Sequence, residues 1–163
     1  MARINPARMT HRHSGELVVF LIGMRVNHWL RPDLWLPVFG AMGPMLSELL
    51  RDRESGLAGF RFSIGGSGPV LIQYWTSMDK LYDYASSREA AHRPAWAAFN
   101  ARARKAPRAV GIWHETFLVD RAESMYVGMP TSGLALATES VPVDTRSHTA
   151  RARAAAGRTS AAE

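Results

Sequence analysis

Cysteine is absent from the 163 residues of the chain. Its absence excludes disulfide bonds, thiolate metal sites and a cysteine nucleophile, and it fits the reducing cytoplasm in which we expect the protein. Long apolar runs are missing as well. The run over residues 17–24 falls well short of the ~20 residues that a membrane-spanning helix needs, and no small-residue cleavage site of a signal peptide follows it. We therefore predict a strand here and no membrane span.

Several motifs of common chemistries are also missing. The sequence contains no G-x-G-x-x-G before a predicted helix, no Walker loop, no H-E-x-x-H and no G-x-S-x-G. The Gly-Gly-Ser-Gly at 65–68 is typical of a hairpin turn, and the His-Arg-His at 11–13 lies in the N-terminal segment. A dinucleotide-binding protein or a serine hydrolase therefore has no support in the sequence, and we expect no metal site.

The composition suits one domain with a large core. Apolar residues make up 47% of the chain, with five tryptophans and eight methionines. The net charge of +6 invites a nucleic-acid partner, but residues 1–13 carry +3 and residues 139–163 carry +1, which leaves only +2 over 14–138. No basic stripe interleaved with aromatics marks the middle of the chain, so we expect no nucleic-acid partner.

The periodicity of apolar residues predicts four strands and three helical segments, of which the last two follow each other between the third and fourth strands. Strand patterns cover 17–26, 57–64, 70–76 and 109–120, and helical patterns cover 31–52, 78–87 and 93–105. Pro37 and Pro44 should bend or split the first helix. We expect residues 1–14 to be a flexible basic arm, 15–143 to form the domain, and the Ala/Arg/Ser/Thr-rich 144–163 to be a disordered tail.

The order β-α-β-β-α-β predicts an α+β, ferredoxin-like fold, with an antiparallel sheet and helices on one of its faces. The first strand is apolar on both sides, so the second face of the sheet also needs a cover. Either the segment 133–143 or a second subunit can provide it. Two sheets stacked face to face would make a homodimer of the dimeric α/β barrel type.

Six blocks of the sequence together resemble a known family: VVFLIGMRVNHW, WLPVFGAMGPML, ESGLAGFR, PVLIQYW, AHRPAWAAFN and VGIWHETF. They are similar to the fumagillin-pathway monooxygenase-like family, over about residues 15–141. This family belongs to the dimeric α/β barrel superfamily, with the antibiotic-biosynthesis monooxygenases. The resemblance implies a homodimer with one apolar pocket per subunit between sheet and helices, and it leaves the reaction open because one fold hosts many chemistries.

His114 is the first candidate site residue. Strand alternation places it on one face with Ile112 and Thr116, whereas Trp113 and Glu115 fall on the other face. His114 is interpreted either as a buried, hydrogen-bonded core histidine or as a general acid/base or haem ligand. Glu115 cannot pair with it and is expected at a dimer or helix contact.

The other catalytic candidates are His92, Tyr74, Arg25 and Asn27. His92 precedes the helix at 93–105, and the resemblance implies an axial haem ligand there. A capping or surface histidine is the alternative. Arg25 and Asn27 end a strand, either as the polar rim of a pocket or as solvated groups, and core packing is the default for Tyr74. The predicted pocket residues, for which core packing is also the default, are Trp113, Trp96, Phe99, Trp75, Phe39 and Met42.

Three functions fit these residues. The leading hypothesis is a small monooxygenase-like enzyme that oxidises an apolar metabolite and requires no cofactor. The second is a haem b enzyme with His92 or His114 as axial ligand, in the manner of aldoxime dehydratases. The third is a non-catalytic protein that binds a hydrophobic ligand in the same pocket.

Overall fold

The computed structural model describes residues 3–87 and 92–156, and only the backbone at position 92. Over these residues the chain forms seven strands and six helices. In chain order they are β1 (Asn5–Arg12), β2 (Val18–Val26), α1 (Pro32–Gly40), α2 (Met42–Arg51), β3 (Leu57–Gly65), β4 (Gly68–Trp75), α3 (Met78–Ser86), α4 (His92–Lys105), β5 (Val110–Leu118), β6 (Tyr126–Met129), α5 (Leu134–Ala137), β7 (Glu139–Pro142) and α6 (Ala150–Ala156). None of the helices in this described part is long and apolar enough to cross a membrane.

The larger sheet has the order β3-β4-β2-β5, and all its neighbouring strands are antiparallel. This order and the helices between the strands confirm the predicted ferredoxin-like α+β fold. The first predicted helix is split, because α1 ends at Gly40 and α2 begins at Met42. Pro44 explains the position of the break, since its ring and missing N–H prevent a regular helix from continuing past the carbonyl of Gly40.

Side chains of the larger sheet point to two faces with different surroundings. The helix-side face carries Val18 and Trp75, which pack against Leu49 of α2 and Leu81 of α3 in the buried core. The bare face carries the alternate residues, which on β2 and β5 are Val19, Leu21, Gly23, Arg25, Gly111, Trp113, Glu115 and Phe117. The sequence prediction of one face covered by helices is thus correct.

A second sheet, of order β6-β1-β7, contains the segment that the sequence analysis treats as a flexible arm. Residues 5–12 form its central strand instead, with Met9 paired to both Tyr126 and Pro142. The strand escapes a local analysis because its partners lie at the far end of the chain, in a segment without clear periodicity. Pairing on both sides satisfies the backbone of β1, which local hydrophobicity alone would not order.

Helix α5 covers part of the bare face. It lies against β3, where a Cβ added to Gly59 would come within 2.8 Å of the Cβ of Ala137. The half of the bare face on β2 and β5 is more open, since Phe117 is 50% exposed and Trp113 is only half-buried. The segment 133–143 therefore covers the half of the bare face at β3 and leaves the half on β2 and β5 uncovered.

The predicted disordered tail is ordered in its described part, up to residue 156. Arg153 of α6 is buried, and its Nε donates to Oε1 of Glu123 at 2.6 Å. Its Nη1 also donates to the carbonyl oxygens of Ser147 and His148. One buried cation with several acceptors anchors α6, although the segment has no apolar pattern. Residues 157–163 lie outside the described part.

Replacing Arg153 by alanine is therefore expected to lower the free energy of unfolding by about 1.5–3 kcal/mol, the usual contribution of hydrogen bonds to a charged group. Arg151 on the same helix is exposed, and Arg151→Ala should change it by less than about 0.5 kcal/mol. Urea denaturation of both variants measures the difference. Equal effects would show that α6 is not anchored through Arg153.

Candidate functional site

His114 lies on the helix-side face of β5, directly opposite Ile22 of β2. Its ring centroid is 5.7 Å from that of Phe20, at an interplanar angle of 39°. The side chain is exposed, which differs from a buried core histidine, because β5 is an edge strand with β2 on only one side. No described residue hydrogen-bonds to its ring, so both nitrogens can reach a ligand.

The surface around His114 is largely apolar, and the exposed Thr116 adds a hydroxyl on the same face of β5. Phe20 and Ile22 belong to the neighbouring strand, and Ile112 precedes His114 on the same face of β5. Phe20 is a residue that the sequence analysis missed. Its position beside His114 depends on the register between β2 and β5, which no local pattern contains.

Helices α1 and α4 meet near the start of β5. Leu34 and Val38 of α1, Phe99 and Ala103 of α4, and Val110 of β5 line a gap of about 10 Å³, roughly the smallest space that holds one water molecule. Phe99 also stacks on Trp96 at 5.4 Å between centroids, and Trp96 is 54% exposed. Of the predicted pocket residues, Phe99 is thus engaged in helix packing and Trp96 faces outward.

The remaining predicted pocket residues are spread over the fold. Trp75 is fully buried in the core, where its Nε1 donates to Gln73 Oε1 at 2.9 Å. Trp113 lies on the bare face above Gly23, where an added Cβ would come within 2.4 Å of its ring. Phe39 of α1 contacts the ring of Phe62 at 6.1 Å, and Met42 is half-buried at the start of α2.

Two of the predicted polar residues, Tyr74 and Arg25, lie on the bare face, away from His114. Tyr74 is buried opposite Val19. Burial raises the pKa of its phenol above the ordinary value, and the charge of Arg61 and a hydrogen bond to it oppose the shift. Arg25 donates from Nε to Oδ1 of Asn27 at 2.9 Å, and both are exposed.

The backbone of His92 begins α4, and its side chain lies outside the described residues. Its predicted role as an iron ligand therefore stays a prediction. Among residues 3–87 and 92–156, no group of three or more His, Asp or Glu side chains could hold a metal ion. What the described side chains bring together on the helix-side face is an accessible imidazole beside Phe20 and Ile22, with the hydroxyl of Thr116 next to it.

The sheet order and the helices on one face define a ferredoxin-like α+β protein. The chain belongs to the monooxygenase af470-like family, whose sequence profile matches residues 17–134. The family resemblance seen in the sequence is thereby confirmed at the level of the family. No curated protein matches the chain.

Solved structures share the fold at low sequence identity. The aldoxime dehydratase OxdRE, solved with butyraldoxime, matches 93% of this chain and 42% of its own, with 10% identity and a TM-score of 0.62. A Caulobacter crescentus protein assigned to the antibiotic biosynthesis monooxygenases matches 64% and 91%, with 12% identity and a TM-score of 0.48. SnoaB, a cofactor-independent oxygenase from Streptomyces nogalater, matches 66% and 97%, with 17% identity and a TM-score of 0.37.

Proposed function

We propose that the protein is a small oxygenase that oxidises an apolar metabolite on the helix-side face of the larger sheet, beside His114. The observation that carries the proposal is an exposed imidazole next to Phe20, on a largely apolar surface to which Thr116 adds a hydroxyl. Apolar surroundings hold such a substrate, and one polar group fixes its orientation. Membership of a monooxygenase family supports the same reaction type.

The role proposed for His114 is that of a general base. An imidazole can accept a proton at neutral pH, here from an activated C–H or phenol of the substrate. The substrate anion then supplies the electrons that reduce O₂. Without an outside reductant, the reaction balances if a methylene becomes a carbonyl, with one oxygen atom of O₂ on carbon and the other in water.

Oxygen uptake with a panel of hydroxyaromatic compounds that carry a benzylic methylene tests this proposal. We expect one O₂ consumed per substrate oxidised, without added reductant, metal or haem, and a product heavier by one oxygen and lighter by two hydrogens. Binding of a panel member without oxygen uptake would favour a non-catalytic ligand-binding protein. Uptake that requires added haem would favour the second candidate.

The second candidate is a haem b enzyme, and one observation favours it. A haem iron takes a single axial imidazole in apolar surroundings, and His114 offers an accessible imidazole beside Phe20 and Ile22. Bound haem would supply oxygen or dehydration chemistry at iron, and His114, Phe20 and Ile22 would hold it. His92, at the start of α4, is the ligand that the family resemblance implies.

Titration of the purified protein with haemin, followed by visible absorption, tests this candidate. If haem binds at the accessible imidazole, His114→Ala should remove the Soret band and His92→Ala should retain it. The reverse result would make His92, which the family resemblance implies, the ligand. If the unsubstituted protein does not change the absorption spectrum of haemin, the haem candidate is eliminated.

We also propose a homodimer formed through the β2–β5 half of the bare face. Val19, Leu21 and Trp113 are half-buried there, and Phe117 is 50% exposed. An apolar sheet surface of this kind marks an interaction site. Arg25 and Glu115 are exposed on the same face, so opposite charges are available for contacts between two copies.

Leu21→Glu is accordingly expected to convert a dimer into a monomer, because it places a carboxylate at the centre of the contact. Leu30→Glu is the matched control, since Leu30 is 95% exposed and lies outside the bare face. Light scattering at micromolar concentration measures the molar mass of each. A monomeric unsubstituted chain, or dimers of both variants, would contradict the proposed interface.

A further inference from the structure

Two histidines of the small sheet form a pair that the proposed oxygenase site does not involve. His11 lies on β1 opposite Ser140 of β7, and His13 follows the last residue of β1. Their rings stack with centroids 5.5 Å apart and an interplanar angle of 20°. His11 is only 7% exposed. The pair therefore sits at the junction between β1 and β7.

Most of the ring nitrogens of this pair are buried without a hydrogen-bond partner. His11 Nδ1 is 2.8 Å from Ser124 Oγ. His11 Nε2 and both nitrogens of His13 have no partner among the described residues and no contact with solvent. A protonated imidazole donates from both nitrogens, and acceptors for these protons are missing. The position of the two rings in the structure therefore favours the neutral form of both.

The charged groups around the pair give little support to a protonated form. Glu123 attracts a charge on His11, but its carboxylate is held by Arg153. Burial, and next the charge of His13, lower the pKa of His11 below its ordinary value, and burial lowers the pKa of His13.

A cavity of about 460 Å³ lies next to His13, and its wall carries hydrogen-bond acceptors that the buried rings lack. Glu16 and Glu139 line it, together with Arg12, which is 3.8 Å from Glu139. One oxygen of Glu16 accepts from the N–H of Met78 at 2.6 Å. Two carboxylates thus border a space large enough for an imidazole ring.

We propose that His11 and His13 form an acid-sensitive latch, which keeps the β1–β7 edge closed while both rings are neutral and releases it when His13 is protonated and moves toward Glu16 and Glu139. The open form uncovers Leu17 and Trp75, which are buried on the wall of this cavity at the end of the larger sheet. This inference is independent of the proposed oxygenase.

The direction of the pH effect follows from linkage. The open form binds protons near pH 6.5, the ordinary value for histidine, and the closed form binds them only at lower pH. The closed form is therefore fully stable above about pH 6.5 and loses stability as the pH falls through that value. With the ordinary histidine value in the open form, lowering the pH to 5.5 raises the equilibrium constant for opening by about tenfold for each ring.

Hydrogen exchange of the full chain at pH 7.5 and 5.5, corrected for intrinsic exchange, tests the latch. We expect up to about a hundredfold less protection at pH 5.5 in peptides covering β1 and β7, and no change in β2. Equal protection at both pH values would overturn the latch. So would an equal loss in β2, because that loss reports global unfolding.

His13→Phe keeps a stacked ring and removes the titrating group, so it should reduce the acid-induced loss about tenfold. The matched control is His28→Phe, since His28 is exposed and outside the small sheet, and it should keep the full loss. Identical losses in both variants would overturn the assignment to His13.

If His13→Phe does not fold, NMR titration of the six histidines in the unsubstituted chain decides. At least two should titrate at lower pH than the others, and a common midpoint would overturn the latch.

Discussion

Replacement of His114 by alanine is expected to lower turnover by about 10²–10⁴-fold, the usual loss when a general acid or base is removed. The same substitution should change the free energy of unfolding by less than about 0.5 kcal/mol. The imidazole is exposed on an edge strand, and its loss leaves no buried partner without a hydrogen bond. Replacing a buried, hydrogen-bonded core histidine would instead lower the free energy of unfolding by on the order of 1–3 kcal/mol.

His28→Ala serves as the control, since it removes another exposed histidine that lies outside the larger sheet. Its turnover and its melting temperature should both match those of the unsubstituted protein. Steady-state kinetics and thermal unfolding of the two variants separate the roles. If His114→Ala retains full turnover, the base lies elsewhere, and a site centred on this imidazole is wrong.

Gly68→Ala is expected to produce the largest loss of stability, more than about 3 kcal/mol. Gly68 has a φ of +138°, which side-chain-bearing residues rarely adopt, and an added Cβ would lie 2.0 Å from the carbonyl oxygen of Met24. Strain of this backbone type costs about 1–3 kcal/mol by itself. The overlap with Met24 would in addition force β4 away from β2.

Gly66→Ala is the matched control in the same hairpin turn. An added Cβ there meets nothing within 4 Å, and no positive φ is required. Its free energy of unfolding should stay within about 0.5 kcal/mol of the original. Urea denaturation of both variants measures the contrast. Comparable stabilities would show that β2 and β4 approach each other less closely at this end.

The larger sheet could be predicted from the sequence because its signals are local. Apolar runs, prolines and the turn at 65–68 mark each element, and alternation correctly assigns His114 and Trp113 to opposite faces. Alternation does not specify what covers each face. Trp113 lies against Gly23 and Trp75 is buried in the core, although both are aromatic residues in apolar strands.

The small sheet and α6 could not be predicted, because the contacts that stabilise them join segments that are far apart in the sequence. The segment around Met9 is stabilised by pairing with distant strands. Helix α6 is anchored by Arg153 through the ion pair with Glu123 and hydrogen bonds to two backbone carbonyl oxygens. None of these contacts leaves a periodic pattern in the sequence. The surroundings of the candidate site could not be predicted for the same reason. Phe20 comes close to His114 only through the register of two strands that are far apart in the chain.

The order of synthesis gives strand β1 an unusual position. It is synthesised before the other described strands and helices, yet Met9 pairs with Tyr126 and Pro142, which are synthesised after the whole larger sheet. Contacts of such large sequence separation form slowly, because a long loop must close before they are gained. The larger sheet, whose strands all lie between residues 18 and 118, can assemble earlier. We therefore expect β1 to wait unpaired on the nascent chain and to join β6 and β7 as the last step of folding.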